Sequence, residues 1–215
     1  MIGVTAEPSC TVFLLSPAYC GGRRAGQLVR QGSTVALAPR LDAGILSLGE
    51  AFAFMSGLYF RGKLAYATAF GRRPTGSASY VITPTRGLQT PDLPVTRAII
   101  DEFAAVDVAT DEPRYFEPLV TDARQLAVSL PHHARVVLLG SIATSKYLDV
   151  LQDALGPRLY FPADFIGRGD MSRGALMLRR AASGVELEYV MASETTVRRG
   201  RRAPRLAPLG APILR

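Results

Sequence analysis

Three stretches of about five residues, Thr11–Leu15 (TVFLL), 79–83 (SYVIT) and Arg135–Leu139 (RVVLL), constrain the fold most, because each is short, rich in strand formers and stops abruptly at small or polar residues. Segments with helical period separate them. Strands alternating with helices predict an α/β protein whose sheet is mostly parallel. A short fourth strand is expected at 159–161, and 175–180 with 185–191, joined across Ser183-Gly184, reads as a C-terminal hairpin in which Leu187, Tyr189 and Met191 alternate with Glu186 and Glu188. The expected architecture is a three-layer α/β sandwich with a mostly parallel sheet and that hairpin.

The longest helical stretch is 46–70, where Phe52, Met55, Tyr59, Leu64 and Ala67 share apolar faces while Gly57 and Gly62 weaken the middle, so one kinked helix or two shorter ones are expected. Arg61 and Lys63 flank Gly62; as a solvated junction they are unremarkable side chains, and in an aromatic setting they suit phosphate and base. A weak helical stretch covers 27–30. Thr96 caps a helix running to about Val106, Pro113 and Pro118 bracket a turn, and Thr121 caps a helix to about Leu130. After Arg135–Leu139 comes Gly140-Ser141 and a helix over 144–155, a strand, small turn and helix in series that can present N–H groups to an anion or simply use Thr144 or Ser145 as an N-cap.

At 215 residues, with 48% hydrophobic and 20% charged side chains, the chain suits a single soluble domain. Its net charge of +7 is unevenly placed: six arginines after Glu194, namely Arg198, Arg199, Arg201, Arg202, Arg205 and Arg215, account for six of those charges. We therefore expect a nearly neutral domain over 1–197 and a flexible Arg/Pro-rich tail over 198–215, with attraction for nucleic acid or acidic surfaces. Cys10 and Cys20 need not form a staple in a chain of this size, and no secretory signal or bilayer-length apolar run is visible, so a cytoplasmic protein without a membrane partner is expected. Adjacent His132 and His133 are poorly arranged to share one ion, and no metal or cofactor is expected.

Ligands of open α/β sheets gather beyond the carboxyl ends of the strands. Four polar loops belong to that edge here. They hold Ser16, Cys20 and Arg23; Thr85 and Arg86; Ser141 and Lys146; and Arg168, Asp170, Ser172 and Arg173. In the glycine-rich, basic loop around it, the Cys20 thiol would have a lowered pKa and serve as a nucleophile, unless it is simply buried or exposed. Asp170 is the best carboxylate for acid/base work, or else a turn partner of Arg168 or Arg173. Ser16 is the alternative nucleophile.

Four segments, VFLLSPA (12–18), LYFRGKLAYA (58–67), VITPTRGLQTPD (81–92) and VVLLGSIATSKYLDVLQDALG (136–156), run in an order that resembles the YaaA-like bacterial α/β family. The third keeps Gly87-Leu88 and Pro91-Asp92 but has Thr83-Pro84-Thr85-Arg86 where the family has Ser-Ala-Lys-Tyr; the first has Ser16-Pro17 in place of Ser-Cys. The resemblance implies a cytoplasmic protein with a Rossmann-like or uracil-glycosylase-like fold, tied to DNA or modified bases. It also implies Ser16, Arg61, Arg86, Gly87 and Asp92 as site residues. The resulting expectation is a nucleotide- or nucleic-acid-binding protein, with processing of a base or nucleotide included, whose phosphate site uses Arg23, Arg61, Arg86, Ser141, Lys146, Arg168, Ser172 and Arg173. The alternatives are a small-molecule hydrolase or transferase using Cys20 or Ser16, and a non-catalytic interaction protein.

Overall fold

The computed structural model describes residues 10–142, 145–193, 200–204 and 206, and of Ser145 the backbone only. In chain order the elements are β1 (Thr11–Leu15), α1 (Arg23–Val29), α2 (Ala38–Asp42), β2 (Leu46–Ser47), α3 (Leu48–Ser56), α4 (Leu58–Phe70), β3 (Ser79–Ile82), β4 (Leu88–Gln89), β5 (Pro94–Val95), α5 (Arg97–Ala104), α6 (Pro113–Ser129), β6 (Arg135–Leu139), α7 (Ser145–Leu155), β7 (Leu159–Pro162), α8 (Asp170–Ser183) and β8 (Tyr189–Met191).

All five residues of β1 and four of the five in β6 are buried, as strands covered on both faces must be. They form the middle of a six-stranded sheet ordered β4-β3-β1-β6-β7-β8, in which β3, β1, β6 and β7 are parallel and the edge strands β4 and β8 are antiparallel. The chain moves from β1 to β3 in one direction and from β6 to β7 in the other. Right-handed crossovers then place their helices on opposite faces. One face carries α4 and α8, with Tyr66 of α4 edge-on to Phe13 of β1 at 5.5 Å; α6 and α7 pack against each other on the opposite layer. This is the expected α/β sandwich with a mostly parallel sheet.

The region 46–70 divides into α3 and α4 at Gly57, and a capping box between Ser47 and Glu50 starts α3. Glu50 also holds Arg40 at 2.5 Å. Thr96 caps α5, as its sequence indicates, by accepting from the Ile99 N–H.

Two segments depart from expectation. The predicted strand at 175–180, and with it the hairpin, lies within helix α8, and only β8 remains as an antiparallel partner of β7. Ala, Leu, Met and Arg are all good helix formers, and the stripe Arg173, Gly174, Leu176 and Met177 buries against α4. The turn predicted between Pro113 and Pro118 is instead the start of α6, capped by Glu112 rather than Thr121. Pro113 sits in the first turn, where no donor is lost, and Pro118 removes one bond from a helix secured by the buried row Tyr115, Leu119, Ala123 and Leu126.

Of the predicted tail, the described residues 200–204 and 206 lie along the loop before α8. The Ala203 N–H donates to the Gly167 carbonyl at 3.1 Å, Arg168 donates to the Pro204 carbonyl at 3.2 Å, and Leu206 packs against the core. Residues 198, 199, 205 and 207–215, on which the expectation of a flexible tail mostly rests, are outside the described residues. No helix among the described residues is long and apolar enough to cross a membrane.

Candidate functional site

Because the chain leaves β1 toward β3 and returns to β6 on the other side, the carboxyl ends of β1 and β6 flank the point where the sheet reverses its winding. Such a point leaves a crevice that crossover helices do not fill. Here it is a cavity of about 580 Å³. Ser16 and Cys20 reach it from the β1–α1 loop, Ser141 from the end of β6, Lys146 and Tyr147 from α7, Tyr59 from α4, Phe103 from α5 and Asp170 from the start of α8. Ser16 extends the strand ladder by donating its N–H to the Leu139 carbonyl at 3.2 Å. A Cβ at Gly140 would stand 2.9 Å from Ser16 Cβ and 3.1 Å from its Oγ, so glycine leaves the hydroxyl its space.

Lys63 lies directly beside Ser16. Its Nζ is 2.7 Å from Ser16 Oγ and 2.8 Å from the Ser16 carbonyl oxygen, and it lies 4.1 Å from the centre of the Tyr59 ring. Only 1% of Lys63 is exposed, and no carboxylate forms an ion pair with it among the described residues. Burial of an ammonium without a carboxylate contact pulls its pKa down to about 7; Asp170 at a distance opposes the shift and Arg173 adds to it. A neutral lysine amine can donate to the Ser16 carbonyl while accepting the Ser16 hydroxyl proton. Tyr59 lines the same cavity; its hydroxyl is buried beside Arg173 with no acceptor to donate to, and burial, opposed by Arg173, pushes its pKa up to about 12, so it remains an O–H donor at neutral pH.

A close helix crossing builds this arrangement. A Cβ on Gly62 would stand 2.5 Å from the Gly174 carbonyl oxygen, and one on Gly174 would stand 2.6 Å from the Leu58 carbonyl oxygen. Two glycines thus bring the α4 and α8 backbones into contact. Lys63 and Tyr59 on one helix are consequently brought within electrostatic reach of Asp170 and Arg173 on the other, beneath the ends of β1 and β6.

Five of the residues expected from sequence share the cavity: Ser16, Cys20, Ser141, Lys146 and Asp170. Asp170 stands at the N-terminus of α8, two-thirds exposed, 3.6 Å from Arg173. Burial pushes the Cys20 thiol up to about 12, opposite to the lowered value expected of a nucleophile, so it is a protonated thiol at neutral pH. Arg173 is a strut rather than a ligand contact: it is buried, donating to the Phe165 carbonyl at 2.8 Å and to the Gly140 carbonyl at 3.5 Å. Arg168 is committed to the Ser172 hydroxyl at 3.2 Å and to Pro204, which also occupies Ser172.

The remaining candidates lie elsewhere. Arg86 forms a two-pronged pair with Glu102 at 3.0 and 2.7 Å in a separate cavity. Gly87 has a φ of 57° and is pressed against Asp122 and Pro118, the turn closing through Thr83; its role is to shape the backbone. Asp92 lines none of the described cavities. Arg23 lines a neighbouring hollow that shares Tyr19 and Ser56 with the central cavity, and exposed Arg61 faces a third one beside Met171.

Tyr59, Phe103 and Tyr147 are not among the site residues that the sequence indicates, and Lys63 is weighed there only beside Arg61, as a phosphate-and-base pair or a solvated junction, not as a buried partner of Ser16. A signal for Lys63 was present: Tyr59, Lys63, Tyr66 and Phe70 are spaced four, three and four apart, which puts the lysine on the apolar stripe and Arg61 off it. No family model, no curated protein and no solved structure matches this chain.

Proposed function

We propose that the chain binds a nucleotide-like small molecule, an aromatic ring bearing an anionic group, in the crevice between the ends of β1 and β6. The observation that carries this is the composition of one cavity at the reversal point of the sheet. Tyr19, Tyr59, Tyr147 and Phe103 give it aromatic walls, Ser141 in the turn after β6 gives it a hydroxyl, and Lys146 at the start of the eleven-residue helix α7 gives it a cation for the anionic end. A free nucleotide fits better than a long nucleic-acid strand, because Arg86, Arg168 and Arg173 spend their guanidinium groups within the protein. The YaaA-like resemblance points to the same ligand class.

Tyrosine emission reports on binding, since the chain has no tryptophan. Titration with a panel of nucleosides and their mono- and diphosphates is expected to show saturable changes, with the phosphate-bearing compounds tighter. Lys146→Ala should weaken those compounds about tenfold, the loss of one charge-assisted bond of roughly 1.4 kcal/mol, and bring them level with the nucleosides. Equal loss for nucleoside and nucleotide, or no saturation with any member, would remove this reading.

A further inference from the structure

We propose that Ser16 is a nucleophile and Lys63 its general base, making the crevice an acyl-transfer centre in which the Tyr59 hydroxyl receives the developing oxyanion. This does not depend on which ligand the cavity prefers. Three independent features converge on it. The Ser16 Oγ to Lys63 Nζ distance of 2.7 Å places the base within reach of the proton it removes. The serine lines the cavity, and Gly140 keeps space open beside its hydroxyl. Tyr59, 7% exposed, lines the cavity, and its buried O–H, beside Arg173, donates to no acceptor.

Pro17 explains why a tyrosine is needed. In many serine nucleophile sites the N–H of the following residue stabilises the oxyanion. Residue 17 is proline and has none, so the donor must come from another element. Tyr59, one helical turn before Lys63, is that donor.

The step balances as follows. Ser16 Oγ attacks a carbonyl carbon of an ester or activated acyl compound as its proton passes to the neutral Lys63 amine, and the carbonyl π pair becomes an oxyanion that accepts from Tyr59. On collapse, the bond to the leaving group breaks and that group takes the proton from the Lys63 ammonium, leaving acyl-Ser16. Water then attacks the acyl carbon and gives its proton to Lys63. Collapse of this second oxyanion expels Ser16 Oγ, which takes that proton back from Lys63, so the acid is released and both residues return to their starting states. The charged groups that face Lys63 are Asp170 and Arg173 of α8; Tyr59 lies on its own helix. Asp170 favours the protonated lysine and Arg173 the neutral one.

An uncharged alkyl fluorophosphonate tests the pair, because a serine displaces fluoride from phosphorus with the same loss of its proton. The intact wild-type chain is expected to gain one adduct, mapped by peptide mass to Ser16, at a rate that rises with pH to a plateau with a midpoint near 7. Ser16→Ala should abolish labelling, and Lys63→Met should slow it about a hundredfold or more and remove the midpoint. Tyr59→Phe should slow labelling while leaving the midpoint in place. Adduct on other residues, or none, in the wild-type chain overturns the proposal whether or not the variants fold. Labelled Ser16 in a chain that binds no nucleotide would count against the nucleotide reading alone.

Discussion

Gly174→Val is expected to destabilise the protein by about 3 kcal/mol, lowering its melting temperature by roughly 6–12 °C. The site of the new atoms is backbone, not a side chain that can swing away: a Cβ at Gly174 would be 2.6 Å from the Leu58 carbonyl oxygen and 2.7 Å from Tyr59 Cα. Helices α4 and α8 must separate, and their crossing is the most extensive contact between any two elements of the fold. Gly62→Val meets the Gly174 backbone in the same way and should have a similar effect. Gly26→Ala is the control. It lies in α1 with open space around its Cβ position and should stabilise by about 0.5–1 kcal/mol through helix propensity. Thermal and urea unfolding of the three variants decide the matter; a Gly174→Val protein melting with the wild type would mean that the two helices do not touch.

The second large effect is a pH-dependent one. In the fold Lys63 titrates near 7, whereas in the unfolded chain it has the ordinary lysine value near 10.4. Between those values the unfolded chain holds a proton that the folded chain does not, so stability rises with pH across the window. The contribution is complete above the unfolded value and is lost as pH falls through about 7. In Lys63→Met this contribution is absent. The difference in unfolding free energy between wild type and Lys63→Met should therefore shift in favour of the wild type by about 2–3 kcal/mol on going from pH 7 to pH 9, at about 1.4 kcal/mol per unit where the slope is full. Urea unfolding at pH 6, 7.5 and 9 measures it. A difference that stays constant with pH would show that Lys63 keeps its proton inside the fold.

The same lysine shows how far the sequence could be read. Continuous apolar runs marked β1 and β6 because strands buried on both faces need no polar alternation, and those two strands locate the crevice. The loop residues Ser16, Ser141, Lys146 and Asp170 followed from the strand ends alone. What stayed hidden was decided by partners distant in sequence. Arg86 finds Glu102, Arg173 finds the carbonyls of Phe165 and Gly140, and neither pairing leaves a local pattern. The segment 175–180 is apolar enough for a strand, and its contact with α4 through Gly174 settles it as helix. Lys63 was on a visible apolar stripe, but its charge argued for solvent. Its burial depends on the close crossing that Gly62 and Gly174 create.

The chain has only two lysines, Lys63 and Lys146, so protein made with ε-¹³C-lysine gives a two-signal spectrum that assigns itself on comparison with Lys63→Met. Followed from pH 5 to pH 11, the signal missing from the variant should titrate with a midpoint near 7, the value that burial beside Ser16 imposes. A midpoint for that signal at the ordinary lysine value would contradict a neutral Lys63 at the base of the crevice, and with it the role assigned to Ser16.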